Sequence, residues 1–529
     1  MVDRVIRTML GAGIIAILLP ALLITTNRGK QVDAGASHPQ ALAIESPANG
    51  SVDSDVSRTR AGGESPHDDD RPPGRDDHAA SSDVTDATTS GSDGTSGGHD
   101  DHGEKTGEGK TTATTANQPE DELPANEVSG TITGEACPCT VTASAELKGT
   151  VSLRGDIMVV GGTLVARSGA HVEGNGFEIM FTEGGRADFQ GSEVFTWSGD
   201  GSNANLKRDL TFRNVKRIMF HDGAGESTLR YFSVIDSGTS ALGDYPVHFH
   251  LNGNSTRGTL VEGVVVVNGR NHAFVPHGSH GITFRDTIAY NTRDDAYWWD
   301  AVGTNDPDCG GGVVCPGIDN SNDIVYQHAL AHTVLNDENS KRNSGFVLGA
   351  GTGNVIRDSV AVNVRGGGDC SGFHWPEFPG GKGRDQPRVW VFENNYSSSP
   401  DCHGIFVWQN SSDNHVVDDF SGNSINHGAY SNGYHYRNPD VSEMVVHAAG
   451  TRVTGGSIGR LIAPRHRSEA VPTFTIEGTR IGAFLVDNAT DGGDIPGVYV
   501  INGSGLACGD VSYDDVVGGT RVILDGVEC

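Results

Sequence analysis

Five histidines (His248, His250, His272, His277 and His280) and three acids (Asp294, Asp295 and Asp300) fall in the passages DYPVHFHLNG and NGRNHAFVPHGSHGITFRDTIAYNTRDDAYWWD. Imidazole and carboxylate are the groups that exchange protons and hold metal ions near neutral pH. A lone histidine is best explained as a hydrogen-bonded core residue, whereas five in one segment put chemistry on the table. Three readings stay open. In the first, His248, His250, His272, His277, Asp294 and Asp295 are catalytic and move protons, while Arg270 or Arg293 grips a substrate carboxylate bidentately. In the second, two or three imidazoles and a carboxylate bind a divalent ion, which suits zinc better than calcium. In the third, the histidines form a polar ladder bonded across strands. Asp294 with Asp295 also fit a calcium ion that neutralises a uronate in a polysaccharide lyase, or a capped turn. The cofactor is therefore undetermined, with calcium and zinc as the candidates. Trp298, Trp299, Trp375, Trp390 and Trp408 place five of the six tryptophans between 298 and 408. Exposed, they would stack on sugar rings; buried, they are core.

The elements that position these groups are short strands. From about Gly130 onward the chain is rich in Gly, Val, Asn and Asp, and runs such as DIMVVGGTLVA, LTFRNV and LRYFSVID are bounded by turn residues. VEGVVVVN (Val261 to Asn268) aligns with FRDTIAYN (Phe284 to Asn291), an offset of 23 residues that carries Phe274 onto Tyr297 and His272 onto Asp295. Further copies are Val325 to His332, Ile356 to Asn363 and the stretch from Phe392, with insertions at Asn305 to Ser321 and His374 to Pro387. Such a period is one rung of a parallel β-helix, an all-β solenoid in which stacked rungs share a core that no rung closes alone. Asn268, Asn291 and Asn363 recur at one phase, as an asparagine ladder satisfying turn backbone would. An antiparallel sandwich explains the strands but not the phase. Alternate residues of a strand share a face, so His248 and His250 project together, with Val247, Phe249 and Leu251 opposite. With rungs about 4.8 Å apart, His250, His272 and Asp295 are expected to form one column.

Composition bounds the rest. The 529 residues carry a formal charge of −30. Arg4 and Arg7 precede an uncharged apolar stretch from Thr8 to Asn27, so residues 1–30 read as a secretory signal or an uncleaved membrane anchor. Residues 31–128 hold 21 acids against 6 Lys and Arg with almost no aromatics, the composition of a disordered acidic linker. The remaining body divides into a leading β-rich domain or cap rungs (129–220), the helix core with the candidate site (221–437), and C-terminal rungs with a cap (438–529). That body has 46 acids and 28 Lys and Arg, which argues against nucleic acid as a partner. All eight cysteines follow residue 136, and an even count in an exported chain favours disulfides. Cys309 with Cys315, Cys370 with Cys402 and Cys508 with Cys529 are the natural pairs; Cys137 and Cys139 are a local bridge or bind outside partners.

DYPVHFHLNG followed by HGSHGITFRDTIAYNT resembles the cell-surface hyaluronidase group, which includes the cell-migration-inducing hyaluronan-binding protein, its transmembrane relative and fibrocystin-like proteins. The likeness covers about Gly130 to Asp300, and GDIMVVGGTLVARSGAHVEG resembles that group's glycine-marked leading domain. Where the group has an H-x-FFLEDG-like stretch, this chain has DDAYWWDAVG. The resemblance implies a right-handed, single-stranded parallel β-helix, an extracellular polysaccharide as ligand and hyaluronidase-like cleavage. The expected protein is thus exported, surface-tethered and monomeric, and it binds and degrades a polysaccharide. The alternatives are a non-enzymatic adhesin or envelope protein, and a lyase or epimerase of uronate glycans.

Overall fold

A computed structural model describes residues 127–529 apart from residue 137 and residues 299–320, 336–342, 350, 367–369, 376–389, 401, 408–415, 423–426, 430–434, 447–450, 464–472, 488–495 and 515. Its strands run in three parallel ladders, and a rung contributes one strand to each. One rung holds Val247–Gly253, Leu260–Glu262 and Val265–Val267; the next holds Phe274–Ser279, Thr283–Arg285 and Ile288–Arg293. Each strand pairs in parallel with its counterpart. The fold is an all-β parallel β-helix. Strands from Gly130 onward join the same ladders, and an antiparallel pair, Arg521–Leu524 with Val527–Glu528, sits at the C-terminal end.

Why this sequence coils so is visible inside the helix. Phe181, Phe220 and Phe249 stack with centroids 4.6 Å apart at each step, and Phe274, Tyr297, Phe346 and Phe373 form a second stack at 5.0, 4.5 and 5.1 Å. Strand spacing and ring stacking coincide, so each aromatic rests on the one below while all are removed from water. Tyr297 is fully buried, and its hydroxyl meets Thr287 Oγ1 at 2.9 Å and the Leu330 carbonyl at 3.3 Å. Of the tryptophans, Trp390 is core: it stacks on Tyr326 and donates to the Gly349 carbonyl at 2.8 Å.

The 23-residue offset is the observed register, with Val261 opposite Phe284 and Val265 opposite Ile288. One copy slips. Phe284 pairs with Tyr326, which pairs with Ile356, so the repeat is Tyr326 to Thr333 and not Val325 to His332. The larger Tyr326 fills the core while Val325 lies half-buried. Asn268, Asn291, Thr333 and Asn363 all adopt left-handed backbone, with φ of 55°, 54°, 61° and 56°. Asn291 Nδ2 donates to Asn268 Oδ1 at 2.7 Å, Asn268 Nδ2 to Asp236 Oδ1 at 2.9 Å, and Asn363 Nδ2 to Thr333 Oγ1 at 2.9 Å. The ladder therefore bonds side chain to side chain at a turn whose conformation asparagine tolerates. Cys370 and Cys402, on successive rungs, are disulfide-bonded, as are Cys508 and Cys529, and Cys139 is also oxidised. Cys309 and Cys315 lie outside the described residues.

Asn291→Val places a β-branched residue in left-handed backbone, at about 1–2 kcal/mol, and removes a hydrogen bond worth about 1 kcal/mol. Asn291→Gly loses only the bond. Thermal melts should rank the parent highest, glycine slightly lower and valine lowest; valine melting with or above glycine would refute the turn assignment.

Candidate functional site

Three consecutive strands of one ladder carry a histidine at their fourth position: Ile218–His221 (IMFH), Val247–Gly253 (VHFH at its start) and Phe274–Ser279 (FVPH at its start). Their register sets His221 beside His250 and His250 beside His277. Val247 and Phe249 fill the core, and the intervening positions, His248 and the histidine column, take the outer face. Leu251, expected with Val247 and Phe249, instead reaches solvent, because its left-handed backbone (φ 50°) breaks the alternation. Ring centroids separate His248 from His250 by 5.2 Å and His250 from His277 by 4.9 Å. His248 and His277 are buried, whereas His250 is half-buried. His280, also buried, accepts the Asn322 backbone N–H at 3.2 Å.

A connecting loop fixes His248. Its Nδ1 lies 3.0 Å from the Gly243 carbonyl, which can only accept, so that nitrogen carries the proton and the buried Nε2 keeps its lone pair. The loop is itself pinned. Asp244 faces Lys216 and Arg217 at 3.5 and 3.4 Å, and Asn271 Nδ2 donates to the carbonyls of Thr239 and Ala241.

Two residues ahead of the core positions Val247, Phe274 and Tyr297 come Tyr245, His272 and Asp295, a second column. His272 stacks on Trp298 at 3.9 Å and lies 5.1 Å from Tyr245, which in turn lies 4.7 Å from His248. His272 Nδ1 is 3.7 Å from Asp295 Oδ2, and Nε2 is 3.8 Å from Asp294 Oδ2. Asp295 Oδ1 accepts the Ser344 backbone N–H at 2.7 Å. The expected column of His250, His272 and Asp295 is therefore two columns. His272 and Asp295 do meet, but His250 lies in register between His221 and His277, because the strands of this ladder are 29 and 27 residues apart there.

Burial lowers His248, with the neighbouring charges of His250 and His277 adding to it, and pushes His277 down to about 3. Burial likewise lowers His250, and lowers His272 against the opposing charge of Asp294. Asp295 is held well above the usual carboxylate range by burial and then by Asp294. His248, His250, His272 and His277 are thus neutral imidazoles near pH 7, and burial disfavours the charged form of Asp295.

Arg270 and Arg293 lie one rung apart at the turn beside this cluster, and both are exposed. Neither makes an ion pair or side-chain hydrogen bond with a described residue. Trp298 is half-buried. Trp299, Trp408 and Asp300 lie outside the described residues, as does the side chain of Trp375. Sequence reasoning passed over His221, Tyr245 and Ser344. The shared ending of IMFH, VHFH and FVPH could have revealed the first.

Residues 216–302 match the family model described as the CEMIP beta-helix. The matched stretch contains both columns and the arginine pair. Neither the curated proteins nor the solved structures returned a match.

The buried imidazoles carry a pH signature. His277 has a folded pKa of about 3, below its unfolded value near 6.5. Its contribution is complete above pH 6.5 and is lost as pH falls, because the unfolded chain then binds the extra proton, at up to about 1.4 kcal/mol per pH unit. Asp295, shifted upward, acts oppositely: its contribution is present at low pH and fades as pH rises. Melting temperature followed from pH 7.5 to pH 4 should fall less steeply in His277→Gln than in the parent. Equal slopes would put His277 in solvent.

Proposed function

We propose that this protein binds and cleaves an extracellular polysaccharide containing uronate residues, on the face formed by His250, His272, Trp298, Arg270 and Arg293. The observation that carries this reading is the arginine pair. The two arginines are exposed, one rung apart and without an ion pair among the described residues, so their guanidinium groups are available to take up a carboxylate bidentately. Trp298 offers the adjacent aromatic surface on which a sugar ring stacks. The match of residues 216–302 to the CEMIP beta-helix supports a hyaluronan-related, cell-surface role. The N-terminal apolar stretch supports export and tethering.

His250, half-buried like His221, reaches the surface beside the buried His248 and His277. Neutral near pH 7, it can take a proton from an attacking water, whose oxygen bonds to the anomeric carbon. The glycosidic bond breaks as the new bond forms, and the departing oxygen takes its proton from a second donor on the opposite side, which solvent can supply. A second reading, elimination across the uronate, is favoured by the same neutral base beside charge-neutralising arginines.

The test incubates the full-length protein with hyaluronan, a sulfated uronate glycan and a neutral glycan, measuring binding and chain length. Uronate polymers should bind and shorten. Arg270→Ala with Arg293→Ala should weaken binding by about tenfold or more, and His250→Gln should slow cleavage about 100-fold with binding retained. An ultraviolet-absorbing unsaturated end on the product marks elimination, and its absence marks hydrolysis. Binding without shortening would leave an adhesin, and equal affinity for the neutral glycan would overturn the proposed face.

A further inference from the structure

The geometry points to a divalent transition-metal site formed by His272, Asp294 and Asp295. One ligand atom from each residue lies within 4.8 Å of the others, a span that a single ion with bonds of about 2.0–2.2 Å closes with small side-chain movements. Proximity of acids alone would say little. The independent observation is the imidazole: His272 has 7% of its side chain exposed, and its Nδ1 has no hydrogen-bond partner among the described residues. A buried polar nitrogen left in this way costs about 1–3 kcal/mol, and it faces Asp295 Oδ2 at 3.7 Å, too far for a hydrogen bond and suited to an ion between them.

The surroundings hold these groups as outer-sphere contacts hold metal ligands. Trp298 stacks on the His272 ring at 3.9 Å and Tyr245 packs at 5.1 Å, which fixes the ring plane. The Ser344 N–H, on the next described strand of this ladder, holds Asp295 Oδ1 and leaves Oδ2 toward the imidazole. Asp294 reaches the cluster from left-handed backbone with φ 59°, which turns it to the same side as its neighbour despite their adjacency in the chain. Its side chain is 26% exposed, so the cluster opens to solvent on that side. One imidazole with two carboxylates is a donor set for zinc or manganese, and the nitrogen disfavours calcium and magnesium.

The site goes beyond the glycan reading and needs no glycan to be tested. Full-length protein stripped with chelator is titrated calorimetrically with Zn²⁺, Mn²⁺, Ca²⁺ and Mg²⁺, and the Co²⁺ form is followed by its visible absorption. One equivalent of Zn²⁺ or Mn²⁺ should bind in preference to Ca²⁺ and Mg²⁺, with a Co²⁺ spectrum of nitrogen and oxygen ligation. Asp295→Asn and His272→Gln should each weaken that equivalent by about 100-fold, with melting curves reporting whether each variant is folded. Asp294→Asn, at the more exposed ligand, gives the same reading should either buried variant fail to fold. Absence of a stoichiometric equivalent, or one that survives in the folded variants, overturns the site. Survival would place the ion elsewhere, for instance on the His- and Asp-rich residues 31–128. Glycan cleavage that persists in metal-free protein would leave the polysaccharide reading standing without bearing on this one.

Discussion

Parallel strand pairing in a single register is the constraint from which the rest of this structure follows. Each backbone ladder allows a strand to move along its neighbour only in whole-residue steps, and a step of one exchanges the inner and outer faces. The interior aromatic stacks decide which step is taken. With Phe249 over Phe220 and Phe274 under Tyr297, any slip would drive rings into solvent and bring histidines inside. The outer columns of His221, His250 and His277, and of Tyr245, His272 and Asp295, are thus placed by residues that touch no ligand.

How far this arrangement was legible depended on whether rungs kept a constant length. In the turn from Val261 to Asn268 and its 23-residue copy nothing is inserted, so the phase, the asparagine ladder and the pairing of His272 with Asp295 could all be read directly. Insertions elsewhere defeat the same arithmetic. His250 was matched to His272 because 22 lies close to 23, but the intervening turn lengthens that ladder's rung to 27 residues and His277 takes the place. Val325 was matched to Phe284 because both are apolar, whereas volume selects Tyr326. Ser344 arrives 49 residues after Asp295, and no local pattern links a backbone N–H to a carboxylate over that distance. Leu251 shows a third kind of failure: one left-handed residue ends the alternation on which face assignment relies.

Burial divides the titratable groups by what they can do. His248, His277, His272 and Asp295 are each shielded enough that the charged form is disfavoured. Their value at neutral pH lies in lone pairs and in shape, which suits ligation or the orientation of a neighbour. His250 is lowered by burial as well, but it is half-buried, so exchange with solvent is open to it. The face therefore offers a mobile proton at its rim and neutral donors and acceptors beneath it. An exposed cluster of the same residues would titrate together and keep no such division.

An acidic body is a poor host for an anionic polymer only while charge is counted over the whole molecule. At physiological ionic strength the field of exposed charges decays over about 8 Å, so acids on distant rungs slow the encounter more than they weaken the bound state. What acts on a docked anion is the group within contact distance. Arg270 and Arg293 are exposed and without opposing carboxylates among the described residues, unlike Arg213, Arg257 and Arg285, which are each paired with an acid. Paired arginines have already spent their directional hydrogen bonds inside the fold. Arg270 and Arg293 keep theirs and stand one rung apart beside the aromatic and imidazole surface, a local arrangement that net charge does not describe.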